Sequence, residues 1–157
     1  MTELSFSTVS MREWYPALEP LFTAHYAEMR SRLAADGVEI GPFNPMTVSY
    51  FDANDRGLYR MYVALEDGTL IGYSGIWVTQ DMHNQEVIAS EDTIYITPER
   101  RKGAGKALAK FILKDLEALG VKRVTISPVT DLRVGKIWSR MGFKPVAQLM
   151  TYTFGAT

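Results

Sequence analysis

Cysteine is absent from the 157 residues of this chain. That excludes a disulfide scaffold, thiolate metal sites and a cysteine nucleophile, and it leaves the redox compartment open. Histidine is almost absent too. His25 and His83 are far apart in sequence and offer a metal ion little to bind, so no metal is expected. No charge sign is in excess, since 17 Lys and Arg face 18 Asp and Glu for a net charge of −1. Nothing therefore draws the whole molecule toward nucleic acid or an anionic membrane. No apolar run reaches the roughly 18–20 residues that cross a bilayer. The opening Met-Thr-Glu-Leu-Ser-Phe also lacks the basic-then-apolar layout of a signal peptide. A soluble intracellular protein, cytoplasmic by default, is the expectation.

Hydrophobic residues make up 46% and charged residues 22%, and the length suits one domain with its own core, spanning 1–157. Leu4–Val9 alternates loosely and reads as a strand. Ser10 with Glu13 forms a capping box for a helical pattern from Met11 to about Ala35, in which Pro20 should kink or divide the segment. Residues 36–57, rich in Gly, Pro, Asn and Asp, read as irregular. Tyr59–Glu66 and Thr69–Thr79 read as strands joined by the hairpin dipeptide Asp67-Gly68. A further strand covers about Val87–Ile96, and helical spacing runs from Gly103 to Leu119 with Gly120 as its stop. Val121–Ser127 reads as a strand, Asp131–Met141 as a helix, and Phe143–Phe154 as one or two closing strands. Together these make an α/β (α+β) domain with a parallel crossover through the Gly103 helix.

The chemistry is concentrated at Thr97-Pro98-Glu99-Arg100-Arg101-Lys102-Gly103-Ala104-Gly105-Lys106. A strand ends, a basic turn with two glycines follows, and an amphipathic helix begins at once. Glycines let backbone approach a ligand closely. The first amides of a helix lack intrahelical acceptors and lie at its positive end, so an anion is favoured there, and Arg or Lys side chains add charge-assisted hydrogen bonds. The expectation is a pyrophosphate site; a capped helix start with solvated basic residues is the competing reading. A P-loop does not fit, because Gly-Lys-Ser/Thr is missing. A dinucleotide fingerprint belongs after the first strand, and this turn comes late in the chain.

The same residues resemble the acetyl-CoA signature of the GCN5-related N-acetyltransferase (GNAT) superfamily, Arg/Gln-x-x-Gly-x-Gly/Ala, matched by Arg100 to Gly105. The proline before the signature is echoed by Pro98. The later motif Asn-x-x-Ala-x-x-x-Tyr-x-x-x-Gly-Phe is echoed from Asp131 to Phe143, with Val134 and Trp138 in place of the usual Ala and Tyr. The resemblance covers nearly the whole chain. It implies a V-splayed mixed sheet of 6–7 strands with about four helices, in the order β-α-α-β-β-β-α-β-α-β-β. It also implies acetyl-CoA as co-substrate: backbone of Ile94 and Ile96 would pair with the pantetheine arm, and Arg100, Arg101, Lys102, Gly103, Ala104, Gly105 and Lys106 would hold the pyrophosphate, with Asp131 also on the cofactor side.

The implied reaction is direct attack of a neutral amine on the thioester, needing a base, oxyanion donors and a donor to the thiolate. Relatives carry a carboxylate on the strand before the loop, which points to Glu91 or Asp92. Strand alternation puts these two on opposite faces, and ordinary solvent-facing acids are the competing reading. Trp138 holds the position of the usual acidic tyrosine and reads as packing, which leaves Tyr152 or Ser139 as substitutes. His25, Tyr26 and Glu28 fall in the region that shapes the acceptor pocket in relatives, and this pattern is similar to small bacteriophage-encoded acetyltransferase-like proteins. The aromatics Tyr50, Phe51, Tyr59, Tyr62, Tyr73 and Trp77 read mainly as core, some of them as pocket lining. The implied acceptor is a primary amine of a small molecule, peptide or protein. A homodimer through the C-terminal strands would be in keeping with the family. Alternatives are a phage nucleic-acid-modifying relative and a non-catalytic CoA-binding or structural protein.

Overall fold

A computed structural model of the chain describes residues 2–127 and 134–155. By its internal contacts the chain divides into two compact units, residues 1–22 with 45–126 and residues 23–44 with 127–157.

The first unit is built on one five-stranded sheet, in the spatial order β1 (Leu4–Val9), β2 (Tyr59–Glu66), β3 (Thr69–Gln80), β4 (Val87–Ile96) and β5 (Arg123–Thr125). The first three pairings are antiparallel and β4–β5 is parallel, as the crossover through a helix requires. At the β2–β3 turn Asp67 and Gly68 both take positive φ, 50° and 79°, the mirror-image turn whose twist matches the strands it joins. The β4–β5 ladder is short. Ile88, Ala89 and Ser90 pair with Arg123, Val124 and Thr125, and from Glu91 to Ile96 this edge of β4 has no strand neighbour among the described residues.

Each sheet face is covered. Helix α3 (Ala104–Ala118) lays Ala104, Leu108, Ile112 and Leu116 on Tyr62, Ala64, Ile71, Ile76, Ala89 and Ile96. The four-residue spacing makes one continuous stripe on the helix. The opposite face packs Met11 and Leu18 of helix α1 (Met11–Ala35), with Tyr50 and Phe51 of helix α2 (Thr47–Asp55), on Tyr59, Met61, Val63, Tyr73 and Tyr95.

Three expectations are corrected here. The division allowed for at Pro20 does not occur: Met11–Ala35 is one helix with Pro16 and Pro20 inside it. The two prolines are four residues apart, on one exposed face, so the carbonyls they leave unpaired point to water and the chain needs no break there. The second helix comes instead from the stretch read as irregular. Helix α2 has no side-chain cap at its start, and tertiary contacts hold it: the Asn54 side chain accepts from Met11 N (2.9 Å) and donates to the Tyr59 carbonyl (2.8 Å). Finally, no strand forms between Phe143 and Phe154, so the described sheet has five strands where 6–7 were expected. Val146, Leu149, Met150, Tyr152 and Phe154 are all exposed there, and alternation without a ladder partner does not make a strand.

In the second unit, helix α4 (Val134–Arg140) carries Trp138, 8% exposed, with its ring 5.2 Å from Phe143. The Tyr26 hydroxyl donates to the Gly41 carbonyl at 2.7 Å and its ring meets Phe43, while His25 is buried. Trp138 packs, as the sequence suggested. The four α-helices among the described residues end in the same way, with Gly37, Gly57, Gly120 and Gly142 in the left-handed region. Each glycine N–H bonds a carbonyl of the last turn, as Gly120 does to Glu117, and the next residue bonds the carbonyl one residue further back, as Val121 does to Leu116.

Leu108 is fully buried at the centre of the α3 stripe. Leu108→Ala is expected to lower unfolding free energy by about 2–5 kcal/mol, read from urea denaturation midpoints at an unchanged slope.

Candidate functional site

Strand β4 contains an irregularity that governs its second half. Thr93 pairs with Gly75 and Glu91 with Ile76, so Asp92 is an extra, unmatched residue. Before the bulge, Ala89 faces α3; after it, Ile94 and Ile96 face α3 and Tyr95 faces α1. The Thr97 N–H donates to Ile71 O at 2.8 Å. Because backbone groups alternate along a strand, Ile94 and Ile96 then turn theirs to the edge that β5 leaves open. That open edge matches the splay expected of this strand.

Asp92 is exposed and on the α1–α2 side. Its Oδ2 accepts from the Tyr59 hydroxyl at 2.8 Å and the Tyr50 hydroxyl at 3.0 Å. Tyr50, Tyr59 and Trp77 form a mutual ring cluster, with centroids 4.7–6.1 Å apart. Gly75 makes this possible, since a Cβ on it would stand 1.7 Å from the Tyr59 hydroxyl. Burial first, and then the Asp92 charge, push both phenols well above their ordinary value of 10.0, so they remain protonated donors. Glu91, one residue earlier, pairs in register with Ile76 and is partly buried.

The turn after β4 contains a single 3-10 turn, Pro98–Arg100, and reaches α3 through Gly103 at φ 84°. No side chain caps α3, and the amides of Ala104, Gly105 and Lys106 open its first turn. The basic residues divide into two pairs. Arg100 pairs with Glu66 at 3.2 Å. The Arg101 Nε donates to the Ile96 carbonyl at 2.8 Å, with its guanidinium 5.4 Å from the Tyr95 ring centroid. Lys102 and Lys106 are exposed and have no ion-pair partner among the described residues. Arg101 thus ties the loop to the strand, whereas Lys102 and Lys106 are the cations left for an anion.

The structure therefore joins Ile94, Ile96, Arg100, Arg101, Lys102, Gly103, Ala104, Gly105 and Lys106 in one strand-turn-helix, with Glu91 and Asp92 on the same strand. Asp131 lies outside the described residues. Tyr152 belongs to the second unit, where it is 81% exposed on a segment without a strand, beside Phe154. It reads as a substitute for the tyrosine that Trp138 replaces, and no contact among the described residues ties it to the strand-turn-helix. Sequence reading missed the bond between Tyr50 and Asp92, because 42 positions separate them, and it missed the demand that Tyr59 places on Gly75. The nearest signal was the run Tyr50-Phe51 in a segment otherwise poor in apolar residues.

Residues 12–143 match the acetyltransferase (GNAT) family. This chain belongs to the GNAT family. No curated protein matches it by sequence. Solved structures share the fold at low identity. The ribosomal-protein-alanine N-acetyltransferase of Brucella melitensis biovar Abortus 2308 superposes with a TM-score of 0.75 at 15% identity, covering 98% of this chain and 99% of that one. An aminoglycoside acetyltransferase from an uncultured soil metagenomic sample gives 0.73 at 14%, again covering 98% and 99%. A GCN5-related N-acetyltransferase of Ralstonia eutropha JMP134 gives 0.73 at 16%, covering 98% and 100%.

Tyr62 and Tyr73 are also raised, chiefly by burial. A phenol raised in the folded state holds its proton more tightly there than in the unfolded chain. Its contribution to stability is complete below 10.0 and is lost as pH climbs from there toward the folded values. Absorbance titration of tyrosinate should therefore show Tyr50, Tyr59, Tyr62 and Tyr73 ionising together with alkaline unfolding, separately from the exposed tyrosines. Gly75→Ala is expected to destabilise by about 1–3 kcal/mol by thermal or urea unfolding, since Tyr59 must leave its slot.

Proposed function

We propose that this GNAT-family chain is a single-domain, acetyl-CoA-dependent N-acetyltransferase that moves the acetyl group to a primary amine by direct attack. The observation that carries this reading is the open edge of β4 running into the uncapped α3 turn, which together offer strand backbone to an amide-bearing arm and helix amides to a pyrophosphate. In this reading the Ile94 backbone and the Ile96 N–H pair with the pantetheine arm. The amides of Ala104, Gly105 and Lys106, reached through Gly103, hold the phosphates, and Lys102 and Lys106 neutralise their charge. Arg100 and Arg101 hold the loop in shape, and Asp131 completes the cofactor side.

The amine nitrogen attacks the thioester carbonyl carbon. A C–N bond forms, the C–S bond breaks, and the amine proton passes to a base, directly or through one water. Asp92 is the base this reading favours, because it is exposed on the bulge and held by two donors; Glu91 is the second candidate. The departing thiolate takes a proton from a side-chain hydroxyl or from water, with Tyr152 and Ser139 as the substitutes for the family's tyrosine, which Trp138 replaces. Trp138 takes no part in proton transfer in this reading, because an indole N–H is not acidic near neutral pH; its ring packs on Phe143. Two proteins of the same fold are named for ribosomal-protein alanine and for aminoglycosides, both amine-bearing acceptors, which supports an amine here.

Calorimetric titration of acetyl-CoA into the purified chain tests the reading. The wild type should bind, and a Gly103→Glu/Gly105→Glu variant should lose about 100-fold or more in affinity, because two carboxylates enter the anion site and Gly103 needs positive φ. Wild-type protein that is folded but does not bind would refute the transferase reading. Once an acceptor is found by CoA release, Asp92→Asn should lower kcat/KM by roughly 10²–10⁴.

A further inference from the structure

We infer that β1 is the joint of a two-fold dimer, in which its outer edge pairs antiparallel with the same edge of a second copy of this chain. β1 is a terminal strand of the sheet, and β2 is its one strand neighbour among the described residues. The Asp67 N–H donates to the Glu3 carbonyl at 2.9 Å, which sets the phase of that ladder. Ser5, Ser7 and Val9 therefore turn their backbone groups to β2. Leu4, Phe6 and Thr8 turn theirs outward, where no described strand meets them.

An outer edge is ordinarily blunted by a charge, a proline, a bulge or shortness. β5, at the other end of the sheet, has three residues and begins with Arg123. β1 has six, Leu-Ser-Phe-Ser-Thr-Val, with neither charge nor proline. The register shifts of this sheet fall between β2 and β3 and between β3 and β4, and the β1–β2 ladder has none. The edge is regular, neutral and open.

Its composition selects a second copy as the occupant. A two-fold axis at Phe6 sets Leu4 opposite the partner's Thr8 and Phe6 opposite the partner's Phe6, so every outward N–H and C=O finds a partner. On the α3 side, Phe6 packs on Phe111 with ring centroids 5.8 Å apart, and the joint brings the two copies of this ring pair together. Leu4, a large apolar side chain left 37% exposed, gains cover from the partner's Thr8. On the other face Ser5 lies opposite the partner's Ser7, hydroxyl beside hydroxyl. Like residues meet at a two-fold axis, and a strand without charge meets itself without repulsion. A charged foreign strand finds no opposite charge on it. Two strands, β2 and β3, separate β1 from β4, so the joined sheet keeps both open β4 edges away from the joint. The dimer is therefore independent of the acetyl-CoA reading, and its surface is distinct from residues 143–154.

Sedimentation velocity of the full chain, from micromolar to millimolar concentration, tests the joint. The wild type should pass from monomer to dimer as concentration rises. Ser5→Lys/Ser7→Lys alters two exposed side chains and opposes lysine to lysine across the joint, leaving the β2 ladder intact. It should weaken the dimer about tenfold or more at an unchanged circular dichroism spectrum. The register is read by cross-linking, since the chain has no cysteine of its own. Ser5→Cys and Ser7→Cys chains, mixed in equal amounts and oxidised, should form a disulfide dimer in clear excess over either variant alone. Position 5 faces position 7 of the partner, whereas it lies about 7–8 Å from its own counterpart, beyond disulfide reach. A wild type that stays monomeric, a dimer weakened less than tenfold by the lysines, or a mixture that cross-links no better than the single variants would each overturn the β1 joint.

Discussion

The extra residue at Asp92 changes which face every later side chain of β4 takes. Without it, simple alternation would carry the parity of Ala89 onward, and Ile94 and Ile96 could not join Leu108 and Ala104 in the core beneath α3. With it, the strand serves two halves. Its first part is laddered on both edges, to β3 and to β5, and its second part keeps β3 but turns backbone groups to an edge with no strand neighbour among the described residues, where Arg101 takes the Ile96 carbonyl. The bulge also re-aims a carboxylate toward α2, where Tyr50 and Tyr59 receive it. One additional residue thus sets the core register, the open edge and the acid together.

Around that strand the structure meets its polar obligations locally. No buried side-chain nitrogen or oxygen among the described residues lacks a partner. The helix ends close their last carbonyls through the same glycine geometry four times, and Asn54 alone ties the start of α1, the end of α2 and the start of β2. Arg60 and the Tyr62 hydroxyl share Asp115, which seats the polar flank of α3 on the sheet. At the α3 entrance no side chain closes the first amides. Helix α2 starts without a side-chain cap as well; what sets α3 apart is the open edge of β4 before it and the exposed Lys102 and Lys106 beside its first amides.

Much of this was legible in the residues. Asp67-Gly68 demanded its hairpin, the four-residue stripe of α3 demanded a sheet beneath it, and Gly103 with Gly105 marked the turn, because each signal is local and each has few physical alternatives. Helix α2 was not legible: nine residues with Asn and four other polar or acidic groups have weak helical tendency, and packing by Tyr50, Phe51 and Ala53 supplies the rest. The opposite error fell at Phe143–Phe154, where alternation was present and a ladder was not. Pro20 did not divide the helix, because it lies with Pro16 on an exposed face where water can take the freed carbonyls.

The site divides along the same line. Sequence alone determined that a glycine-spaced basic turn opens α3 after a strand, and that Glu91 and Asp92 precede it, because these depend on neighbours within a few residues. Tertiary structure alone decided that Asp92 is the bulged one, that its partners are Tyr50 and Tyr59, that Gly75 must be bare for Tyr59 to fit, and that Arg101 serves the loop through the Ile96 carbonyl. Those contacts close only when strands and helices distant in sequence are packed against one another. Strand register and the volume of one Cβ are quantities that no single segment carries.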